Sequence, residues 1–183
     1  VLVTAVVPVL DGMQFLPRTV PTLLAAARRS GCVELIYVDN GSRDGSYEYL
    51  QSLAADTAGT VRVVRREGVS IGALRNAGAR CGCGEYISFL DADCGVGESY
   101  FDEAVSVLRA TGAAATGCEV HAPEPPHWIE GALHDLHYVG RDRDVHYINS
   151  ANFFVSRAAF DDVGGFREDL RTGEDAEIGQ RLL

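Results

Sequence analysis

Asp91 and Asp93 stand either side of one alanine, directly after the apolar run Tyr86-Ile87-Ser88-Phe89-Leu90. Side chains alternate faces along a strand, so two carboxylates one residue apart leave on the same side. Anions that close repel unless positive charge compensates them. Mg²⁺ or Mn²⁺ would suit, being hard cations that take oxygen ligands and keep positions open for a substrate phosphate. A solvated acidic turn is the competing reading of the same residues. Asp39 poses a similar choice where it closes the buried strand expected over 33–38 and precedes Asn40-Gly41-Ser42. A carboxylate there can accept a hydrogen bond from a base N–H or a ribose hydroxyl, yet Asp-Asn-Gly-Ser is also good turn chemistry. Arg75 lies in the small-residue stretch Gly72-Ala73-Leu74-Arg75-Asn76-Ala77-Gly78. It could reach a phosphate, or sit solvated on a helix packed tightly against a sheet. Glu174 and Asp175 follow Gly173 at the head of a helical segment. The helix dipole favours acids there in any case, and an aspartate facing a cleft would also serve as a general base.

Other clusters carry less. His134 and His137 sit one helical turn apart, with Glu130 four residues before His134, so the three can share a face. An exposed polar face is the simpler reading than a metal site. His121, His127 and His146 have no evident partners. The five cysteines, Cys32, Cys81, Cys83, Cys94 and Cys118, are odd in number and irregularly spaced. Buried or partly buried free thiols in a reducing cytoplasm fit them better than a zinc site built on Cys81, Cys83 and Cys94.

The elements that must position these residues alternate strand and helix. Residues 3–9 form a β-branched run, the pattern of a strand buried on both faces. A helix is predicted over 15–29, with Pro17 in its first turn and Pro21 bending it or delaying its start. Strands follow at 33–38, 61–64 and 86–90, separated by helices at 46–55 and from Ser70 to 80. Asp44 or Ser46 is expected to cap the first of these helices, and Ser70 the second. An amphipathic helix spans 98–110. Beyond it come a strand near 113–120, a Pro-rich break at 123–126, a helix over 128–139, a strand at 152–155, a short helix, the Gly164-Gly165 turn and a last helical segment, 176–183. The βαβαβαβ rhythm implies a mostly parallel sheet with helices on both faces. In such sheets ligands bind outside the carboxyl ends of the strands, so segments 8–12, 39–44 and 91–95 should meet in one crevice.

Bulk properties exclude several classes. A chain of 183 residues, 46% hydrophobic and 23% charged, reads as one domain. A net charge of −10 disfavours nucleic-acid binding, which relies on a basic footprint. All 16 cationic residues are arginine, which removes the P-loop and its lysine. No G-x-G-x-x-G follows the first strand, where Pro8-Val9-Leu10-Asp11 stands instead, so a dinucleotide site is disfavoured. No run is apolar enough to span a bilayer. The first residue is Val and the last helix is cut short, both pointing to a fragment.

Ordered along the chain, Ala5-Val6-Val7-Pro8-Val9, Ile36-Tyr37-Val38-Asp39-Asn40-Gly41-Ser42-Arg43-Asp44-Gly45-Ser46, Arg75-Asn76-Ala77-Gly78, Gly84-Glu85 with the strand through Asp93, Gly164-Gly165-Phe166 and Gly173-Glu174-Asp175 closely resemble family 2 glycosyltransferases of the GT-A fold. The resemblance implies an α/β domain over 1–183, with a nucleotide-binding half (1–95) and an incomplete acceptor-side half (96–183). It implies inverting, metal-assisted transfer of a sugar from a UDP-, GDP- or dTDP-sugar to an acceptor hydroxyl, with Mn²⁺ or Mg²⁺ as cofactor. By position, Asp39 would contact the base, whose pocket Pro8, Val9 and Asp11 would line. Asp91 and Ala92 would lie near ribose and metal, Asp93 would hold the metal, and Arg75 would be a phosphate contact. Asp175 would be the base, with Glu174 beside it. A further metal ligand, frequently histidine, and membrane-associated helices would lie beyond residue 183, placing the domain in the cytoplasm or at the cytoplasmic face of a membrane. Leu10-Asp11 stands where members often carry Tyr-Asn. Two other classes compete: a non-catalytic sugar-nucleotide-binding domain, and a nucleotidyltransferase, which would need a basic Gly-rich loop where this chain has no Lys or Arg before Arg18.

Overall fold

Two mostly apolar strands, β1 (Val3–Val9) and β2 (Val33–Asp39), are buried at every position and pair in parallel within the sheet. In this computed structural model, which describes residues 1–118 and 148–183, four more strands complete the sheet. They are β3 (Val61–Arg65), β4 (Tyr86–Leu90), β5 (Ala115–Thr116) and β6 (Asn152–Ser156), in the order β3-β2-β1-β4-β6-β5. β3, β2, β1 and β4 are mutually parallel, whereas β6 runs antiparallel to both β4 and β5. The chain steps outward from β1 to β3 and then returns to the other side of β1 as β4. That reversal opens a crevice at the carboxyl ends of β1 and β4.

Alternation along the strands sorts the core into two layers. Ala5, Val7, Leu35 and Tyr37 face the helices α1 (Leu16–Ser30) and α4 (Tyr100–Thr111). Val6, Ile36 and Val38 face α3 (Ile71–Cys81), α5 (Arg157–Asp162) and α6 (Glu174–Arg181). Within this second layer Phe89 meets Phe166 edge-on at 5.0 Å and stacks on Phe153 at 5.9 Å. The Gly164-Gly165-Phe166 turn is thereby fastened to the sheet. Asn76 completes the joint, since its amide donates to Phe166 O at 2.8 Å and its Oδ1 accepts from Phe166 N at 2.9 Å. The Arg75-Asn76-Ala77-Gly78 and Gly-Gly-Phe segments are therefore two halves of one contact.

Several boundaries differ from expectation for local reasons. α1 starts at Leu16 and passes through Pro21 without delay, because Pro21 lies on the exposed face and removes only one backbone donor. In α2 (Ser46–Asp56) the cap position belongs to Gly45, in the left-handed region at φ 94°. Asp44 instead accepts from Ser46 N at 3.0 Å and Ser46 Oγ at 2.5 Å. Ser70 caps α3 as expected, accepting from Ala73 N at 3.2 Å. α4 begins at Tyr100, two residues late, and β5 is only two residues long. α6 begins at Glu174, ahead of the expected 176. The zinc alternative fails because Cys81 and Cys83 precede β4 while Cys94 follows it, at the opposite end of the strand. Nor are the thiols uniformly buried: Cys32, Cys83 and Cys118 are exposed. The helix expected over 128–139, the Pro-rich break and the Glu130, His134 and His137 group lie outside the described residues. Among the described residues no helix is long and apolar enough to cross a membrane.

α3 approaches the sheet closely because Gly78 lets it. A Cβ there would collide with Val6 Cγ1 and sit 3.1 Å from Val38 Cγ2. Gly78→Ala is expected to lower unfolding stability by about 1–3 kcal/mol. Gly97→Ala, whose Cβ would meet nothing within 4 Å, should stay within about 0.5 kcal/mol of the parent. Urea unfolding of the two variants side by side checks both.

Candidate functional site

Three strand-end loops build the crevice, and the first two are sewn together through backbone N–H groups. Asn40 N donates to Val9 O at 2.8 Å, and Asp11 N to Ser42 Oγ at 2.9 Å. In return Arg43 N donates to Asp11 Oδ1 and Met13 N to Asp44 Oδ2, both at 2.8 Å. Asp11 pays for this with a left-handed backbone at φ 48°, unusual for a residue other than glycine. Asp39 lies beneath the junction, fully buried, and its carboxylate accepts from Gly41 N at 2.9 Å and Ser42 N at 3.2 Å. Arg65 Nε approaches the same carboxylate at 3.6 Å from β3. The turn chemistry expected of Asp39 is thus present, and Asp11 faces Arg43 rather than the crevice.

The crevice encloses about 620 Å³. Pro8, Val9 and Leu10 form one wall, with Ile71, Leu74 and Arg75 from α3 beneath. Asp91, Ala92 and Asp93 form its centre, and Ser150 with residues 171–175 forms the far wall. Eight of the ten expected site residues line it; Asp11 and Asp39 stand behind it.

The paired aspartates do not leave on one side of a strand. β4 stops at Leu90, and Cys94 N donates to Asp91 O at 3.0 Å, so Asp91-Ala92-Asp93 is a turn. Thr19 Oγ1 donates to Ala92 O at 2.9 Å and ties this turn to α1. Asp93 projects exposed into the crevice, while Asp91 leans back on Arg75. Behind them the Cys94 thiol is pushed up to about 12 by burial and by the neighbouring carboxylates, so it stays protonated.

Arg75 is the centre of the arrangement. Its guanidinium is almost completely enclosed, donating to Glu174 Oε1 at 2.6 Å and to Asp91 Oδ1 at 2.9 Å. Its third face lies over the Phe166 ring, 5.6 Å from the centroid. It is therefore neither a solvated helix residue nor a cation reaching outward; it is a bridge between two carboxylates. One positive charge does not fully compensate them. Burial raises the Asp91 carboxyl above its usual range despite the opposing pull of Arg75, and Asp93 and Glu174 push it the same way.

On the far wall Gly173, at φ 76°, turns the chain into α6 with no side-chain cap. Glu174 is buried, and Ser150 Oγ donates to it at 3.4 Å. Asp175 accepts from Ala176 N at 2.8 Å and from Ser150 N and Oγ at 3.4 Å, and its carboxylate borders the crevice. Ser150 and Arg171 were not legible as site residues. Ser150 reaches its partners across 24 and 25 residues of sequence, and Arg171 belongs to no recurring motif. Arg171 is the second cation on the crevice wall and is exposed.

No group of three or more His, Cys, Asp or Glu side chains converges to hold a metal among the described residues. Two carboxylates at the crevice centre, one exposed and one half-exposed, still fit Mg²⁺ or Mn²⁺. Such ions are commonly bound by one or two carboxylates, with substrate phosphates and water completing the shell.

Comparison with known proteins identifies the family and the fold. The model described as Glycosyl transferase family 2 matches residues 4–164. The glycosyltransferase AglE of Haloferax volcanii is 23% identical over 98% of this chain and 60% of its own length. Among solved structures, the mannosyltransferase PcManGT from Pyrobaculum calidifontis, in complex with GDP-Man and Mn²⁺, superposes with a TM-score of 0.78 at 17% identity, covering 98% of this chain and 51% of that one. TarS residues 1–349 from S. aureus in complex with UDP gives 0.80 at 14% identity, covering 100% of this chain and 55% of that one. The chain thus spans about half to three-fifths of the length of these relatives. With the motifs, the reversal beside β1 and the match over most of its length, the chain belongs to glycosyl transferase family 2 and has the GT-A fold.

Proposed function

We propose that the crevice binds a nucleotide-diphosphate sugar and that the domain transfers its sugar, with inversion, to an acceptor hydroxyl. The observation that carries this reading is that Asp93 and Asp175 line one crevice, while Arg75 bridges their neighbours Asp91 and Glu174. GDP-Man with Mn²⁺ in PcManGT and UDP in TarS support the ligand class.

Pro8, Val9 and Leu10 take the nucleoside. Asp39 acts on the base by fixing the turn beside it, since its carboxylate is sealed behind Gly41 and Ser42. The diphosphate lies along Asp91, Ala92 and Asp93, with Arg171 as the exposed guanidinium facing it. Asp93 and the second oxygen of Asp91 would hold Mg²⁺ or Mn²⁺, which when bound neutralises charge building on the departing diphosphate. Asp175 takes the proton of the acceptor hydroxyl as that oxygen attacks the anomeric carbon. The new C–O bond forms while the bond to the diphosphate breaks, and the diphosphate leaves with the electron pair. Glu174, fixed by Arg75, seats the start of α6 and with it the neighbouring Asp175.

The test is a thermal-shift screen of UDP-, GDP- and dTDP-sugars with and without Mn²⁺. Ligand at about 100 times its Kd adds about 2.7 kcal/mol of stability, a clear rise in Tm. A flat response to every donor sinks the proposal. Asp93→Ala should abolish the Mn²⁺-dependent part of nucleoside diphosphate binding in titration calorimetry; unchanged affinity removes Asp93 from the metal set. Asp175→Asn should slow release of nucleoside diphosphate from the donor by about 10²–10⁴-fold while binding persists. Undiminished turnover would instead favour a domain whose binding serves another purpose.

A further inference from the structure

The centre and the far wall of the crevice are joined by a single enclosed charge. Arg75, from α3, reaches Asp91 after β4 and Glu174 at the head of α6, residues 16 and 99 positions away in sequence. The Arg75 side chain is 3% exposed and that of Glu174 8%, whereas Asp91 is 41% exposed on its crevice side. Glu174 has one other partner among the contacts described, the longer bond from Ser150 Oγ at 3.4 Å. Its charge compensation therefore comes from Arg75, which it shares with a carboxylate open to ligand.

We propose that Arg75 is a positioning residue that couples the centre to the far wall, so that occupancy at Asp91 and Asp93 tightens the seating of Glu174 and Asp175. This rests on the donor site proposed above. A cation and diphosphate arriving at Asp91 draw on a carboxylate that Arg75 now serves. The guanidinium is left with Glu174 as its main counter-charge, and the bond between them strengthens. Glu174 begins α6, so the first turn of that helix, Asp175 included, is held more firmly. By reciprocity, the charge of Glu174 is felt at the donor end although Glu174 lies on the far wall.

Hydrogen exchange of the full chain, read by mass spectrometry with saturating UDP or GDP and Mn²⁺, tests this. In the wild type, amides of residues 174–181 should exchange at least about fivefold more slowly with nucleotide bound, a size typical of coupling between sites. Amides of α2 serve as the unaffected reference. In Glu174→Gln, nearly the same shape without the charge, nucleotide should still bind by calorimetry but the slowing should fall below about twofold. Arg75→Lys, which keeps the charge but loses the two-ended reach, should show the same loss and serves if Glu174→Gln is unstable. Slowing in both variants equal to wild type overturns the coupling, as does nucleotide binding to wild type with α6 unchanged. Complete loss of nucleotide binding in Glu174→Gln would place that residue in the donor site and overturn the positioning role. Wild type that binds no nucleotide removes the donor site itself, and the coupling with it.

Discussion

The bridge of Arg75 to Asp91 and Glu174 is the constraint around which the functional end of this molecule is arranged. A buried ion pair is weak evidence for stability as such, because removing both charges from water costs nearly what their attraction returns. Breaking it from one side is another matter. Glu174 without Arg75 would be a buried carboxylate lacking compensation, a loss of about 3–5 kcal/mol in comparable sites. The Asp91 arm counts for less, since that carboxylate is 41% exposed and water screens it. So the bridge is fixed at its α6 end and soft at its crevice end. That asymmetry is what a ligand site needs.

The need to place Arg75 at depth explains features that look unrelated in sequence. α3 must lie against β1 and β2, which requires Gly78 over Val6 and Val38. Its first turn must pass under the segment after Phe166, where a Cβ on Gly72 would stand 2.7 Å from Arg167 O. Gly165, at φ 74°, has no room for a side chain beside Asn76 Oδ1. Asn76 then holds Phe166, and Phe166 offers its ring to Arg75. Each small residue removes an obstacle between one arginine and two acids. At the other end of the sheet the polar groups are closed among themselves: Thr4 Oγ1 donates to Glu34 Oε1 at 2.8 Å, and Cys83 N and Gly84 N donate to the same two side chains. That end holds the strands in place, whereas the carboxyl end leaves charge facing solvent.

The parts of this design that follow a local rule were legible in the sequence. β1 and β4 keep their expected limits because continuous apolar runs mark buried parallel strands, and Ser70 caps α3 by an ordinary hydroxyl bond. The meeting of three strand-end loops follows from sheet topology alone. What failed was alternation at Asp91 and Asp93, since both lie beyond Leu90, where β4 ends, and a turn sends the two carboxylates to different environments. Arg75 was readable as important but not as paired, because Glu174 lies 99 residues away and no local pattern announces that contact. Ser150 was missed for the same reason. Asp39 read in sequence equally as a ligand contact or as turn chemistry, and its oxygens accept from Gly41 and Ser42 of its own loop with Arg65 nearby.

Charge in the crevice sets the order in which a reaction there must be assembled. Among the described residues, four carboxylates, Asp91, Asp93, Glu174 and Asp175, line it against two guanidinium groups, one of which is already bound to two of them. With no lysine in the chain, a diphosphate entering alone meets excess negative charge and is repelled. Accompanied by a divalent cation the diphosphate brings positive charge that offsets this excess and that carboxylate oxygens such as those of Asp91 and Asp93 can share. On the proposed function, nucleotide and cation are therefore one ligand rather than two.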